Sequence, residues 1–355
     1  MMKEILGKLT RGLELESGEI AALIRGIRED RVTPVQIAGF QVALMMKGPT
    51  LNEISAIAQA MRDNCVGIAP GNGAELMDTC GTGGGLSTFN ISTATAIVAA
   101  AAGIPVAKHG SRSISSLSGS ADVLEALGVD IRLAPANAAR MMEEIGIAFL
   151  YAPLFHPVMG KVLSPETELG IKTIFYTIIG PLINPANARL HLMGVHRPEL
   201  LDTVSRVARN LGYRRALFVH GVDGLDEISL MGPTLVCELK DGEILRYEIA
   251  PEDFGLARCS LEDIATGTPG ANAETIRAVF GGADRGPRRN AVLMNAAGAL
   301  YIGGKAASMA DGIDLAAALL DSGAAERKLR QLAEASGRYA LLESTGVRDA
   351  ILASA

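Results

Sequence analysis

Residues 78–122, DTCGTGGGLSTFNISTATAIVAAAAGIPVAKHGSRSISSLSGSAD, constrain this chain more than any other stretch. A short strand runs into Gly81-Thr82-Gly83-Gly84-Gly85. Asn90-Ile91-Ser92-Thr93 then opens an alanine-rich helix, and a second short strand ends at Lys108-His109-Gly110. That is the pattern of one βαβ unit with a parallel pair of strands. Glycines let backbone N–H groups approach an anion closely, and a helix start adds free N–H groups and the positive end of its dipole. The run is neither GxGxxG nor a P-loop, since no Gly-Lys-Ser/Thr follows. Read alone it is a tight strand–helix turn. With the polar residues after it, Gly81, Thr82, Gly83, Gly84, Thr88, Asn90, Ser92 and Thr93 read as a phosphate cradle.

The surrounding pattern sets the fold class. Residues 1–66 carry helical signals only: Thr33-Pro34 is an N-cap followed by proline at the first helical position, and Thr50-Leu51-Asn52-Glu53 is a capping box. The Gly/Pro-rich stretch 67–74 is the candidate boundary. From 75 to 152, strands near 75–80, 103–108, 128–133 and 147–152 alternate with helices near 90–102, 119–127 and 135–145. Short apolar strands with crossover helices predict a mainly parallel sheet covered on both faces. Residues 156–186 read as helix with proline punctuation, part of which, about 164–186, packs back on the N-terminal helices. A helix at 198–211, a strand at 215–220 and a hairpin over 234–249 turning at Asp241-Gly242 follow; the remainder is mostly helical. The expectation is a small helical domain over 1–72 and a large α/β domain over 73–355.

Three further groups carry chemistry. Lys108, His109, Ser111, Arg112 and Ser120 flank the end of the second strand, where a parallel sheet would aim Lys108 at the crevice of the glycine loop. Asp223, Asp226 and Glu227 follow the strand at 215–220. Adjacent carboxylates at a strand end suit Mg²⁺, which takes one or two carboxylates plus phosphates and waters. His156-Pro157 could line a second pocket or be packing.

Composition bounds the rest. The chain has 355 residues, 48% hydrophobic and 20% charged, enough apolar content for a sizeable core. Net charge −6 argues against a nucleic-acid-binding protein, and four scattered cysteines without metal spacing read as reduced thiols. No apolar signal segment opens the chain, and the longest uncharged run is broken by Gly103 and Pro105, so a cytoplasmic protein with no membrane span is expected.

The blocks GTGG…TFNIST, VAKHG.RS, SGSADVLEALGV, FLYAP.FHP.M, ELGIKTIF, GPL.NPA and VHGVDGLDEIS, spread from about residue 5 to 345, together resemble the anthranilate phosphoribosyltransferase family, class IV phosphoribosyltransferases that share their fold with pyrimidine nucleoside phosphorylases. The resemblance implies a homodimer joined through its helical domains. It implies Mg²⁺-dependent transfer of ribose 5-phosphate from phosphoribosyl pyrophosphate to an aromatic amine, with inversion at the anomeric carbon. Carried over by residue, Gly81, Gly83, Asn90, Ser92, Thr93, Lys108 and Ser120 would bind the donor. Asp226 and Glu227, with Ser92, would hold Mg²⁺. His109, Ser111, His156 and position 166 would line the acceptor pocket. The chain departs from the family pattern at four points. GTGGG lacks the aspartate of GTGGD-G, Ser111 replaces an asparagine, Glu166 stands where an arginine pairs with the anthranilate carboxylate, and FYTIIGPL is one residue longer than FNLLGPL. Two like charges about 4 Å apart would repel by roughly 4 kcal/mol at an effective dielectric near 20. The acceptor is therefore anthranilate or another aromatic or heteroaromatic amine. A non-catalytic nucleotide- or nucleic-acid-binding protein and a nucleoside phosphorylase are the alternatives from other classes.

Overall fold

In a computed structural model, residues 1–69, 71, 73–113 and 117–353 are described, with the side chains described as far as residue 344. Residues 70 and 72, at the expected domain boundary, lie outside the described residues. Helices α1 (Met2–Leu9), α2 (Ser17–Arg28), α3 (Pro34–Lys47) and α4 (Leu51–Asp63) form the N-terminal bundle. Thr33 and Thr50 cap α3 and α4 as expected; the box of Thr50 with Glu53 is expected from its spacing, and Thr33 forms a second box with Gln36.

A seven-stranded sheet follows: β1 (Met77–Gly81), β2 (Val106–Gly110), β3 (Ile147–Tyr151), β4 (Leu190–Gly194), β5 (Arg215–Gly221), β6 (Thr234–Lys240) and β7 (Glu243–Ile249). The spatial order is β3-β2-β1-β4-β5-β6-β7, parallel through β5 and antiparallel from β5 to β7. Asp241 and Gly242, both at positive φ, turn the β6–β7 hairpin. The chain order reverses between β1 and β4, which opens a crevice beyond the C-terminal ends of those two strands. The helices in chain order are α5 (Ile91–Ala101), α6 (Ser120–Ala126), α7 (Pro135–Ile145), α8 (Ala152–Phe155), α9 (Pro157–Leu169), α10 (Gly180–Leu182), α11 (Leu200–Asn210), α12 (Leu261–Ile264), α13 (Pro269–Phe280), α14 (Pro287–Ile302), α15 (Met309–Asp321) and α16 (Ala324–Ala353).

Strand alternation assigns the two faces of the sheet to two cores. Leu217 and Val219 of β5 join Met77, Leu190 and Leu192 under α5, α14 and α16. Ala216 and Phe218 join Met193, α11 and all four N-terminal helices. The bundle is thus packed directly on one sheet face. Val158 and Val162 of α9 and Phe175, Ile178 and Ile179 belong to that same core, so the segment expected to pack back does so.

Two sequence expectations need correction. Residues 128–133 are not a strand: Val129, Ile131 and Leu133 are buried in alternation, but their backbone meets the side chains of α16. Ser336 Oγ accepts from Asp130 N (2.9 Å) and Glu343 Oε1 from Ala134 N (2.8 Å). Conversely, β4 is a strand at a place where no strand is expected from sequence, although LHLMG is as long as β1, β2 and β3 at five residues each. The extra residue in FYTIIGPL is taken up as a turn of π-helix over Phe175–Ile179, the form in which an insertion inside a helix is usually accommodated.

Candidate active site

The crevice is built from the loops that follow β1, β2, β4 and β5. The glycine loop after β1 is shaped as much by a carboxylate as by room for an anion. Gly83 N donates to Asp226 Oδ2 (2.8 Å). A methyl group on Gly81 would collide with the same carboxylate, one on Gly85 would lie 2.7 Å from Gly224 O, and one on Gly194 would strike the Asp226 carbonyl. Glycine is required here because the β5 loop lies against the β1 and β4 strand ends. Thr82 Oγ1 pairs with His196 Nδ1 (2.9 Å) and accepts from His196 N (3.0 Å), so the loop's start is tied to the end of β4. Its far end is pinned by Thr88, which bridges to Ala265.

Asn90 precedes α5 without capping it. Its Oδ1 accepts from Ser118 Oγ (3.1 Å) and Asn272 Nδ2 (2.9 Å), and its Nδ2 donates to Ser118 O (3.1 Å), joining the start of α5 to the segment before α6 and to the first turn of α13. The first-turn N–H groups of α5 are thereby left to other partners. Thr93 is fully buried with an unpartnered hydroxyl, and it lines a small internal void with Lys108. Ser120 sits at the start of α6, its hydroxyl 3.4 Å from Ser111 O.

Lys108 is buried; its Nζ donates to Thr79 O (2.7 Å) and lies 3.4 Å from Ser92 Oγ. Burial lowers its pKa, and the charges of Asp78 and Glu227 oppose that. Asp226 and Glu227 are partly buried side by side. Burial first, then the charge of Asp226, pushes Glu227 up to about 8. Burial also raises Asp226, against the Gly83 N–H. Asp223 is separated from this pair by its bonds: Ser229 Oγ (2.6 Å) and Leu225 N (3.1 Å) donate to it, so it holds its own turn. Two neighbouring carboxylates whose protons are held more tightly than usual, with hard oxygen donors, fit a divalent cation such as Mg²⁺.

The pleat of β2 sends His109 to the opposite face from Lys108. His109 meets His156, just before α9, edge-to-face at 4.9 Å. Both are buried. His109 Nε2 and both ring nitrogens of His156 have no hydrogen-bond partner. Burial drives His109 well below the usual imidazole range and His156 down to about 4, so both are neutral. Ser111 is exposed, and its hydroxyl bonds to Arg112 O (3.1 Å). Glu166 is buried and engaged elsewhere: Gln41 Nε2 (2.9 Å), Thr173 N (3.4 Å) and Thr173 Oγ1 donate to its carboxylate. The acceptor-carboxylate repulsion expected of an open Glu166 does not follow from this orientation.

Sequence reasoning missed Asn295. It lies in α14, which is buried on nearly every face, where its Nδ2 donates to Ile228 O (2.9 Å) and its Oδ1 accepts from Ile228 N (2.9 Å). It therefore clamps the residue after Glu227. A single Asn inside the apolar run AVLMNAAGALYI was the available signal.

Two family models match the chain: a glycosyl transferase family helical bundle domain over residues 3–65 and a glycosyl transferase family a/b domain over 73–326. An anthranilate phosphoribosyltransferase of Acetivibrio thermocellus is 47% identical over 340 residues, 96% of this chain and 98% of that protein. One from Laribacter hongkongensis is 48% identical over 95% of this chain and 98% of its own length. Among solved structures, the anthranilate phosphoribosyltransferase of Thermus thermophilus superposes with a TM-score of 0.87 at 39% identity, covering 94% of this chain and 99% of that one. The Saccharomyces cerevisiae enzyme in complex with PRPP and Mg gives 0.85 at 27% identity over 95% and 98%. Near-full-length identity of this kind, a matching pair of domains and a crevice at the β1/β4 switch point together place the chain in the anthranilate phosphoribosyltransferase family of glycosyl transferases.

Proposed function

We propose that this phosphoribosyltransferase moves ribose 5-phosphate from phosphoribosyl pyrophosphate to anthranilate, the step that would serve tryptophan biosynthesis. The observation that carries the reading is the convergence, at one crevice, of the glycine loop, Lys108 and the Asp226–Glu227 pair. The amine nitrogen forms a bond to the anomeric carbon as the bond from that carbon to pyrophosphate breaks, and the amine loses a proton. In such a loose transition state charge develops on the leaving pyrophosphate. Preorganised N–H groups of the glycine loop and the Lys108 ammonium stabilise it more than they stabilise the intact donor. Mg²⁺, held by Asp226 and Glu227 with the Ser92 hydroxyl nearby, would supply further neutralisation of that charge.

The two faces of β2 divide the labour. Lys108 serves the donor on the α5 side, while His109 and His156 offer neutral ring nitrogens to the acceptor on the side toward the bundle. A second acceptor class, an aromatic amine without an ortho carboxylate, is favoured by one observation: Glu166 occupies the arginine position. The test is product formation from phosphoribosyl pyrophosphate, Mg²⁺ and a panel of aromatic amines. Anthranilate is expected to be the best substrate by kcat/KM. Another amine turning over while anthranilate does not would replace the acceptor and keep the chemistry. Thermal stabilisation by phosphoribosyl pyrophosphate with no turnover of any amine would replace the chemistry itself. We also infer a homodimer formed through the bundle, where α3 exposes Val35, Val42, Met45 and Met46.

A further inference from the structure

Asp78, Cys80 and His191 stand together on the sheet face that carries the bundle. Asp78 and His191 are register partners on β1 and β4, and Cys80 is two residues further along on the same face. One ligand atom from each lies within 4.8 Å of the other two, and Cys80 Sγ is 3.2 Å from His191 Nε2. Among the described residues this is the one such group of three. It is distinct from Asp226 and Glu227, and the reaction proposed above uses none of its members.

We propose that Asp78, Cys80 and His191 form a binding site for a borderline divalent cation, Zn²⁺ or Co²⁺. The donor set decides the class of ion. Thiolate, imidazole and carboxylate are the ligands of Zn²⁺ and its neighbours, whereas Mg²⁺ takes oxygen alone. The supporting groups are in place. Asp78 is oriented by Asn184 Nδ2 (2.8 Å), Thr79 N (2.8 Å) and His109 N (3.2 Å), and the His191 ring stacks on Tyr213 with centroids 5.6 Å apart. His191 Nε2 is the ring nitrogen on the Cys80 side and the one placed to take the cation, and burial brings the ring's pKa down to about 3, so the ring is neutral. On binding, a bond forms from Sγ to the cation and the thiol proton leaves to solvent. Carboxylate and thiolate then balance the dication, with the buried Lys108 ammonium as a further charge bearing on Asp78 and Cys80. Cys80 is the one partly exposed member, at the end of β1 beside the crevice, so entry and a fourth ligand come from that side.

The test titrates Co²⁺ into the full-length reduced protein in excess Mg²⁺ and follows the thiolate-to-cobalt charge-transfer absorption. One equivalent is expected to saturate the band. Cys80→Ser should abolish it and His191→Gln should weaken binding roughly tenfold or more, while Asp226→Asn leaves it in place. A triple variant with Cys65, Cys237 and Cys259 all changed to Ser, which keeps Cys80 as its only thiol, should retain the band. Absence of the band in folded protein, its survival in Cys80→Ser, or its loss in the folded triple variant would each overturn the proposal.

Discussion

At the scale of single residues, the site shows how far neighbours decide what a side chain can do. Asp223, Asp226 and Glu227 look equivalent as an acidic cluster, yet Asp223 is consumed by Ser229 and Leu225, while the charge of Asp226 bears on Glu227. Glu227 gives a pH prediction. Its pKa is raised from 4.5 to about 8 in the folded chain, so the folded state holds that proton more tightly than the unfolded state. The stability this contributes is complete below about pH 4.5 and is lost as pH rises through about 8. Glu227→Gln stays neutral throughout. In metal-free buffer its melting temperature should match the parent's at pH 4.5 and exceed it above pH 8, and added Mg²⁺ should close that gap by stabilising the parent. Parallel melting curves across this range would refute the assignment. His109 and His156 illustrate the opposite sign: burial lowers both and keeps both neutral, so neither carries a charge where the two rings meet.

At the scale of elements, loops are placed by the elements beneath them. The Asp226–Glu227 loop rests on three supports: the glycines of β1 and β4, which leave no room for a Cβ, the Gly83 N–H, and Asn295 of α14. Asn295→Ala would leave both the N–H and the C=O of Ile228 buried without the side-chain partner they have now, at about 1–3 kcal/mol each. The expected result is a lower melting temperature together with weaker Mg²⁺ binding, read by the Mg²⁺ dependence of that temperature. An unchanged Mg²⁺ dependence would limit Asn295 to general packing. The N-caps of α3 and α4, the capping box of α4 and the β6–β7 turn are legible in the sequence, because each depends on residues within a few positions of one another. The false strand at 128–133 was not. Its alternation is genuine, but whether an alternating segment becomes a strand depends on a neighbour with free backbone groups, and here α16 supplies side chains instead.

At the scale of the whole molecule, the bundle and the sheet share a core. Residues of α1–α4 pack with Met193, Ala216 and Phe218 of the sheet and with α9 and the π-helical turn, so the helical domain is seated on the sheet face that carries His109. The Gln41–Glu166 bond adds a polar tie within that seam. The outer side of α3 stays apolar, with Val35 82% and Met46 78% exposed, a pattern suited to a second copy. Val42→Glu with Met46→Glu should convert a dimer to monomers in light scattering while leaving the unfolding transition of the α/β domain in place. If the parent already scatters as a monomer, the bundle interface is wrong.

Sequence alone determined the helical start, the mainly parallel sheet, the glycine-rich turn after the first strand and the carboxylate pair after the strand at 215–220, because those follow from local periodicity, turn chemistry and residue types at short spacing. Tertiary structure decided which faces meet. Only the fold could turn Glu166 toward Gln41 and Thr173, set Asn295 under Ile228, and bring Asp78 and Cys80 on β1 beside His191 on β4. Those contacts join residues on different elements, and their geometry is set by strand register and helix docking, which no window of sequence contains. The glycine run belongs to both levels. Its composition is what an anion-binding loop needs, and its close packing against Asp226 shows that Gly81 and Gly85 also make room for that carboxylate.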